Sequence, residues 1–163
     1  MPGVFQRLAA LPDRRGWLLS TLIYFLFAVI AVLFGLETGI LAWQPGGSDL
    51  LAVALVALVI PSLVEELVFR APLLWAPRGQ AFIWSAVALA LFVLWHPLNA
   101  WLILPDARPV FFDPRFLIIA GGLGLACTMA TVMTRSIVPA ILMHWLTVTG
   151  WKGLFGGEQV IGA

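Results

Sequence analysis

The chain has 163 residues, 62% hydrophobic and 10% charged, with a mean hydropathy of +1.03 and a formal net charge of +1. A soluble domain carries about 25% charged residues, so a soluble globule is excluded, and the near-neutral balance gives no case for nucleic acid as a partner. An all-α, polytopic transmembrane helix bundle of about five spans is left, because apolar runs of this length cross lipid as helices that satisfy their own backbone.

One integral-membrane domain is expected over 1–163: a basic N-terminal segment at 1–15 with Arg7, Arg14 and Arg15, a bundle at 16–154, and a frayed tail at 155–163. Gly16–Leu36 is the first span, too long for a signal-peptide core. Glu37 and the AWQPGGSD turn end it, and Trp43 reads as an interface anchor. Asp49–Leu74 is the second span. Its Pro61 stands four residues before Glu65 and frees the Ala57 carbonyl, which predicts either an ordinary kink or a bend that opens space beside Glu65.

The APRGQ turn at 76–80 carries Arg78 and leads to the third span, Ala81–Leu104, which contains His96, Pro97 and Asn99. Pro105–Arg115 reads as a polar loop. Phe116–Thr134 is the fourth span; Ala120, Gly124 and their small neighbours recur at four-residue steps that let helices approach closely, in this chain or in a homodimer. Cys127, the single cysteine, excludes an internal disulfide and reads as a small packing residue. Ile137–Leu154 is the fifth span and contains His144. Six basic residues (Arg7, Arg14, Arg15, Arg70, Arg78, Arg135) fall on one side of this topology and three (Arg108, Arg115, Lys152) on the other, which predicts a cytoplasmic N-terminus.

The informative stretch is Ile60–Leu74, IPSLVEELVFRAPLL. A charge near the bilayer centre costs about 2.5–3.5 kcal/mol on insertion scales, so Glu65, Glu66 and Arg70 need partners or a purpose. Glu66 and Arg70 are spaced i,i+4 with the glutamate first, the favourable order for an ion pair. Glu65 lies about 100° around the helix and is left free for chemistry. His96 and His144, the only histidines, lie in other spans. Depth counting at 1.5 Å per residue puts Glu65 and His144 both ~14 Å from the inner edge but His96 roughly 10 Å farther out. A later start of the third helix, a tilt, or an earlier stop of the second would close that gap.

Glu65-Glu66-x-x-x-Arg70, then Phe92-x-x-x-His96, then His144 in a later apolar helix, resemble the motifs of the CPBP family of CAAX prenyl endopeptidases and their bacterial relatives, glutamic-type intramembrane proteases. The resemblance covers Pro61 to about Val148. The HPLNAW and FFDPRFL stretches resemble small bacterial members that process C-terminal sorting anchors. The resemblance implies an endopeptidase without cofactor, acting near the C-terminus of a membrane-anchored substrate, in a bacterial inner membrane. It implies Glu65 as general base on water, His96 as the group that holds and polarises that water, and His144 as donor to the oxyanion. Glu66 and Arg70 would fix the helix, and Phe92 would shape the pocket wall. One departure stands out: the polar residue usual four positions after the last histidine is Val148 here, so Thr147 and Asn99 become the candidate substitutes. Two alternatives stay open: a zinc-dependent membrane protease using the histidines and a carboxylate, and a non-catalytic immunity or scaffolding protein. The lack of repeats and of paired broken helices argues against a transporter.

Overall fold

The computed structural model describes residues 3–45 and 49–157, without the side chain of Arg78. The centre of the AWQPGGSD turn and the tail from residue 158 onward lie outside the described residues. A short helix α1 (Val4–Leu8) precedes α2 (Arg14–Thr38), which begins where the Asp13 carboxylate accepts the Gly16 N–H at 2.7 Å and ends at left-handed Gly39. Asp49 caps α3 (Leu50–Ala57) in the same way.

The second span then breaks. Ile60 is extended (φ −125°, ψ 116°), as a residue before proline prefers, within a π-helical stretch over Leu58–Leu63; the Ile60–Pro61 peptide is cis. The chain resumes as α4 (Val64–Phe69) and tightens into a 3₁₀ turn at Ala71–Leu74. There follow α5 (Ala81–Leu102), α6 (Arg108–Phe111), α7 (Pro114–Thr134) and α8 (Val138–Leu154).

Four helical segments are long and apolar enough to cross a membrane, at Arg14–Thr38, Leu50–Leu74, Ala81–Leu102 and Pro114–Thr134. The protein is an integral membrane protein. The expected fifth span, α8, has 17 residues, the lower end of the length that crosses hydrocarbon. It packs inside the bundle on α3 and α7. Large apolar side chains such as Phe25, Leu33, Leu94 and Ile118 face outward, as lipid requires.

The centre is α7, which packs on α2, α5 and α8. Its small residues Ala120, Gly124, Ala126, Cys127 and Ala130 are buried, which is how three helices approach one. At one end of the bundle the Arg135 guanidinium donates to the carbonyls of Leu73 and Leu74, and the Ser136 hydroxyl donates to the Ala10 carbonyl. At the other end Arg115 donates to the Thr38 carbonyl at 2.8 Å and pairs with Asp113.

Asp113 also caps α7, and the hydrogen bond from the Arg115 side chain holds its carboxyl down at about 2. Because that value lies below the ordinary carboxylate range, the clamp is fully formed at neutral pH and is lost only as pH falls through about 2. A mild-acid titration of the purified protein to about pH 4 is therefore expected to leave the α2–α7 junction intact, as read by protease resistance of the segment around Thr38.

The stretch expected to be a polar loop, Pro105–Arg115, is corrected. It holds a 3₁₀ turn and α6, and it buries Ala107, Val110 and Phe111 against Ala100, Phe116 and Trp151. The charges at Asp106, Arg108, Asp113 and Arg115 masked an apolar plug; Arg108 itself reaches back to the Ala100 and Trp101 carbonyls.

Candidate active site

The break at Ile60 sets α4 as a short helix whose face carries Glu66 and, one turn later, Arg70. Arg70 Nη1 lies 3.2 Å from Glu66 Oε1, with both side chains fully buried. Arg70 Nη2 donates to the Gly124 carbonyl at 3.2 Å, and the guanidinium lies 4.0 Å over the Phe92 ring. The i,i+4 brace expected from the spacing is present.

Its second partner is not foreseeable from spacing: His144 Nδ1 lies 2.9 Å from the same Glu66 oxygen. A carboxylate there accepts, so Nδ1 carries the proton and Nε2 is the free nitrogen. That Nε2 faces Glu65 Oε2 at 3.9 Å. Glu65 has a partner the sequence did not show, since the Trp95 indole N–H donates to its Oε1 at 3.1 Å. Its Oε2 is buried, with no hydrogen-bond partner among the described residues.

His96 is placed differently. Its Nδ1 donates to the Phe92 carbonyl at 2.9 Å, one turn back on α5, and its ring packs edge-on against Phe92, Phe111 and Phe116. Among the described residues no hydrogen bond or ion pair joins His96 to Glu65; the neighbouring Trp95 makes that contact instead. Each histidine thus stands beside a tryptophan tied to the second span, because Trp145 donates to the Ala54 carbonyl at 2.7 Å.

Phe92 is fully buried, not lipid-facing. It meets Phe69, His96 and His144 edge-to-face and carries Arg70 on its face. Gly124 makes this possible. A Cβ there would lie 2.8 Å from Phe92 Cδ1 and Leu89 Cδ1, and 3.1 Å from Arg70 Nη2. Gly124→Ala is expected to cost about 1–3 kcal/mol of stability through overpacking and to lower activity by moving Phe92 and Arg70. Chemical unfolding in micelles beside an activity assay measures both.

A cavity of about 230 Å³ lies between α2, α7 and α8. His96 and His144 line it, with Tyr24, Phe27, Phe111 and Trp151 among its walls. From His144 to Phe155 it follows α8 over roughly 16 Å at 1.5 Å per residue, toward the end of the bundle where Ile40 and Leu41 close it. Neither Pro61 nor Glu65 is part of its lining, so this cavity is not the space beside Glu65 that a bend at Pro61 was expected to open. Val148 does line it, an apolar wall at the position where a polar residue was expected. Thr147 lines it too, but its hydroxyl donates to the Met143 carbonyl of its own helix. Asn99 is not in the lining. Among the described residues no group of three or more His, Cys, Asp and Glu could hold a metal ion.

The family model described as Type II CAAX prenyl endopeptidase Rce1-like matches residues 47–149, more than half of the chain. The chain belongs to this family. Family membership makes it a CAAX-type membrane protease, a hydrolase of peptide bonds. The matched stretch contains Glu65, Glu66, Arg70, Phe92, Trp95, His96, Gly124 and His144; α2, which forms one wall of the cavity, precedes it. Among curated proteins and among solved structures no match was found. Trp95, Phe111 and Phe116 were missed as site residues, and Gly124 was read only as a packing residue. Trp95 carried a usable signal only in hindsight, as a tryptophan next to a span histidine, and the spacing of Gly124 did not show that it faces a buried arginine.

Proposed function

We propose that the chain is an intramembrane endopeptidase in which Glu65 activates water, cleaving near the C-terminus of a membrane-anchored protein. The observation that carries this reading is the 3.9 Å approach of Glu65 Oε2 to His144 Nε2, with the His144 ring also forming part of an apolar cavity wall. In that reading a water gives one proton to Glu65 Oε2 while its oxygen attacks the scissile carbonyl carbon, and the C=O π pair moves onto oxygen. Because Nδ1–H of His144 is committed to Glu66, His144 donates to the oxyanion only as the imidazolium, through Nε2–H. His96, with Nδ1–H committed to Phe92, offers Nε2 as an acceptor toward the cavity. Collapse of the intermediate breaks the C–N bond, and the leaving amine takes the proton from Glu65.

The proposed substrate is the non-prenylated C-terminal anchor of an exported bacterial protein, with the apolar cavity receiving its uncharged side chains. An N-terminus in the cytoplasm, in a bacterial inner membrane, accords with Arg7, Arg14 and Arg15 preceding or opening the first span. The test is co-expression with candidate anchored substrates, comparing wild type with Glu65→Gln, His96→Ala and His144→Ala. Loss of the cleaved product in all three variants, and its persistence in wild type under strong chelation, are expected. Undiminished cleavage by Glu65→Gln would overturn the reading.

A further inference from the structure

A buried carboxylate with no anchor would turn among rotamers, and a base must be held within reach of its proton. Glu65 sits at 12% side-chain exposure, and among the described residues one side-chain hydrogen bond holds it. The donor is Trp95. Consecutive residues on a helix point about 100° apart, so α5 sends His96 to the cavity and the adjacent indole to α4. Indole nitrogen only donates, and the rigid ring leaves little freedom at the contact. With Oε1 accepting the indole N–H, Oε2 is left facing His144 Nε2 at 3.9 Å.

We propose that Trp95 is a positioning residue for the reaction, fixing the Glu65 carboxylate so that its second oxygen stays in the gap beside His144. This rests on the reading of Glu65 as the base. Tryptophan is required for a polar reason and not for bulk. Phenylalanine would fill much of the same space, leave the substrate cavity unaltered because Trp95 does not line it, and remove the donor.

Two measurements on the full chain in micelles test this separately from the protease reading. Trp95→Phe is expected to lower kcat roughly tenfold or more, the scale of a lost hydrogen bond to a charged group, with KM held within about twofold. Trp95→His, which restores an N–H at shorter reach, is expected to regain part of kcat. Independently of turnover, the ¹⁵N-indole spectrum should contain a Trp95 signal, assigned by its loss in Trp95→Phe or Trp95→Tyr. In Glu65→Gln that signal should shift more than those of the other tryptophans, because a charge-assisted bond becomes a neutral one. A Trp95→Phe kcat within about twofold of wild type, or a loss confined to KM, would overturn the proposal. So would a Trp95 signal indifferent to Glu65→Gln. If wild type cleaves no anchored peptide yet the indole signal shifts, the contact stands and the proposed substrate class fails.

Discussion

Glu65→Gln is expected to reduce peptide hydrolysis by on the order of a hundred- to ten-thousand-fold, the range for loss of a positioned general base. The fold should not notice. The substituted glutamine keeps the shape and still accepts the Trp95 indole N–H through its amide oxygen, so a change of about 1 kcal/mol or less in unfolding free energy is expected. The contrast between the two readouts makes the variant decisive: a fully folded, inactive protein assigns Glu65 to the chemistry. An equally active one removes it. Single-turnover cleavage of a fluorogenic anchored peptide in micelles, beside denaturant unfolding of the same preparation, gives both values.

Arg70→Met is expected to have the largest effect on stability, a loss of about 3–5 kcal/mol, as found when one member of a buried ion pair is removed. Three things are lost together: the bond to Glu66, the bond to the Gly124 carbonyl, and the contact with the Phe92 face. Glu66 is left fully buried, with His144 its remaining side-chain partner among the described residues. Neutralising it should relieve part of the damage. The double variant Glu66→Gln with Arg70→Met keeps an acceptor for His144 Nδ1 and is expected to be less destabilised than the sum of the two single variants, with a coupling of about 0.5–3 kcal/mol for residues in direct contact. Strict additivity in that cycle would mean that Glu66 and Arg70 do not act as a unit.

The spans were legible because lipid imposes a simple rule on run length, and boundaries moved by only a few residues, as from Phe116 to Pro114 at the start of α7. The Glu66–Arg70 pair was legible because i,i+4 spacing is local. What lay between helices was not. That the Glu66 oxygen serves both Arg70 and His144, seventy-eight positions away, depends on how α8 is rotated against α4, which no spacing encodes. Rotation also decides that Trp95 and not His96 meets Glu65. Depth counting placed His96 roughly 10 Å farther out than Glu65, yet its neighbour Trp95 bonds Glu65. The 3₁₀ turn at Ala71–Leu74 recovers only about 2 Å of that difference at 2.0 Å of rise per residue. The loop at 105–115 misled for a different reason: four charged residues outweighed Phe111 in composition, yet Phe111 stacks on Phe116 against His96.

The bond from His144 to Glu66 has a consequence for how the protein is made. The imidazole lies seventy-eight positions after Glu66, so the nascent chain must hold its carboxylate–guanidinium pair in lipid before His144 reaches it. A chain stopped after Arg135 should be inactive and, with a half-satisfied buried acid, degraded faster than the full-length form in a pulse-chase measurement; equal lifetimes would show that the late helix adds nothing to persistence.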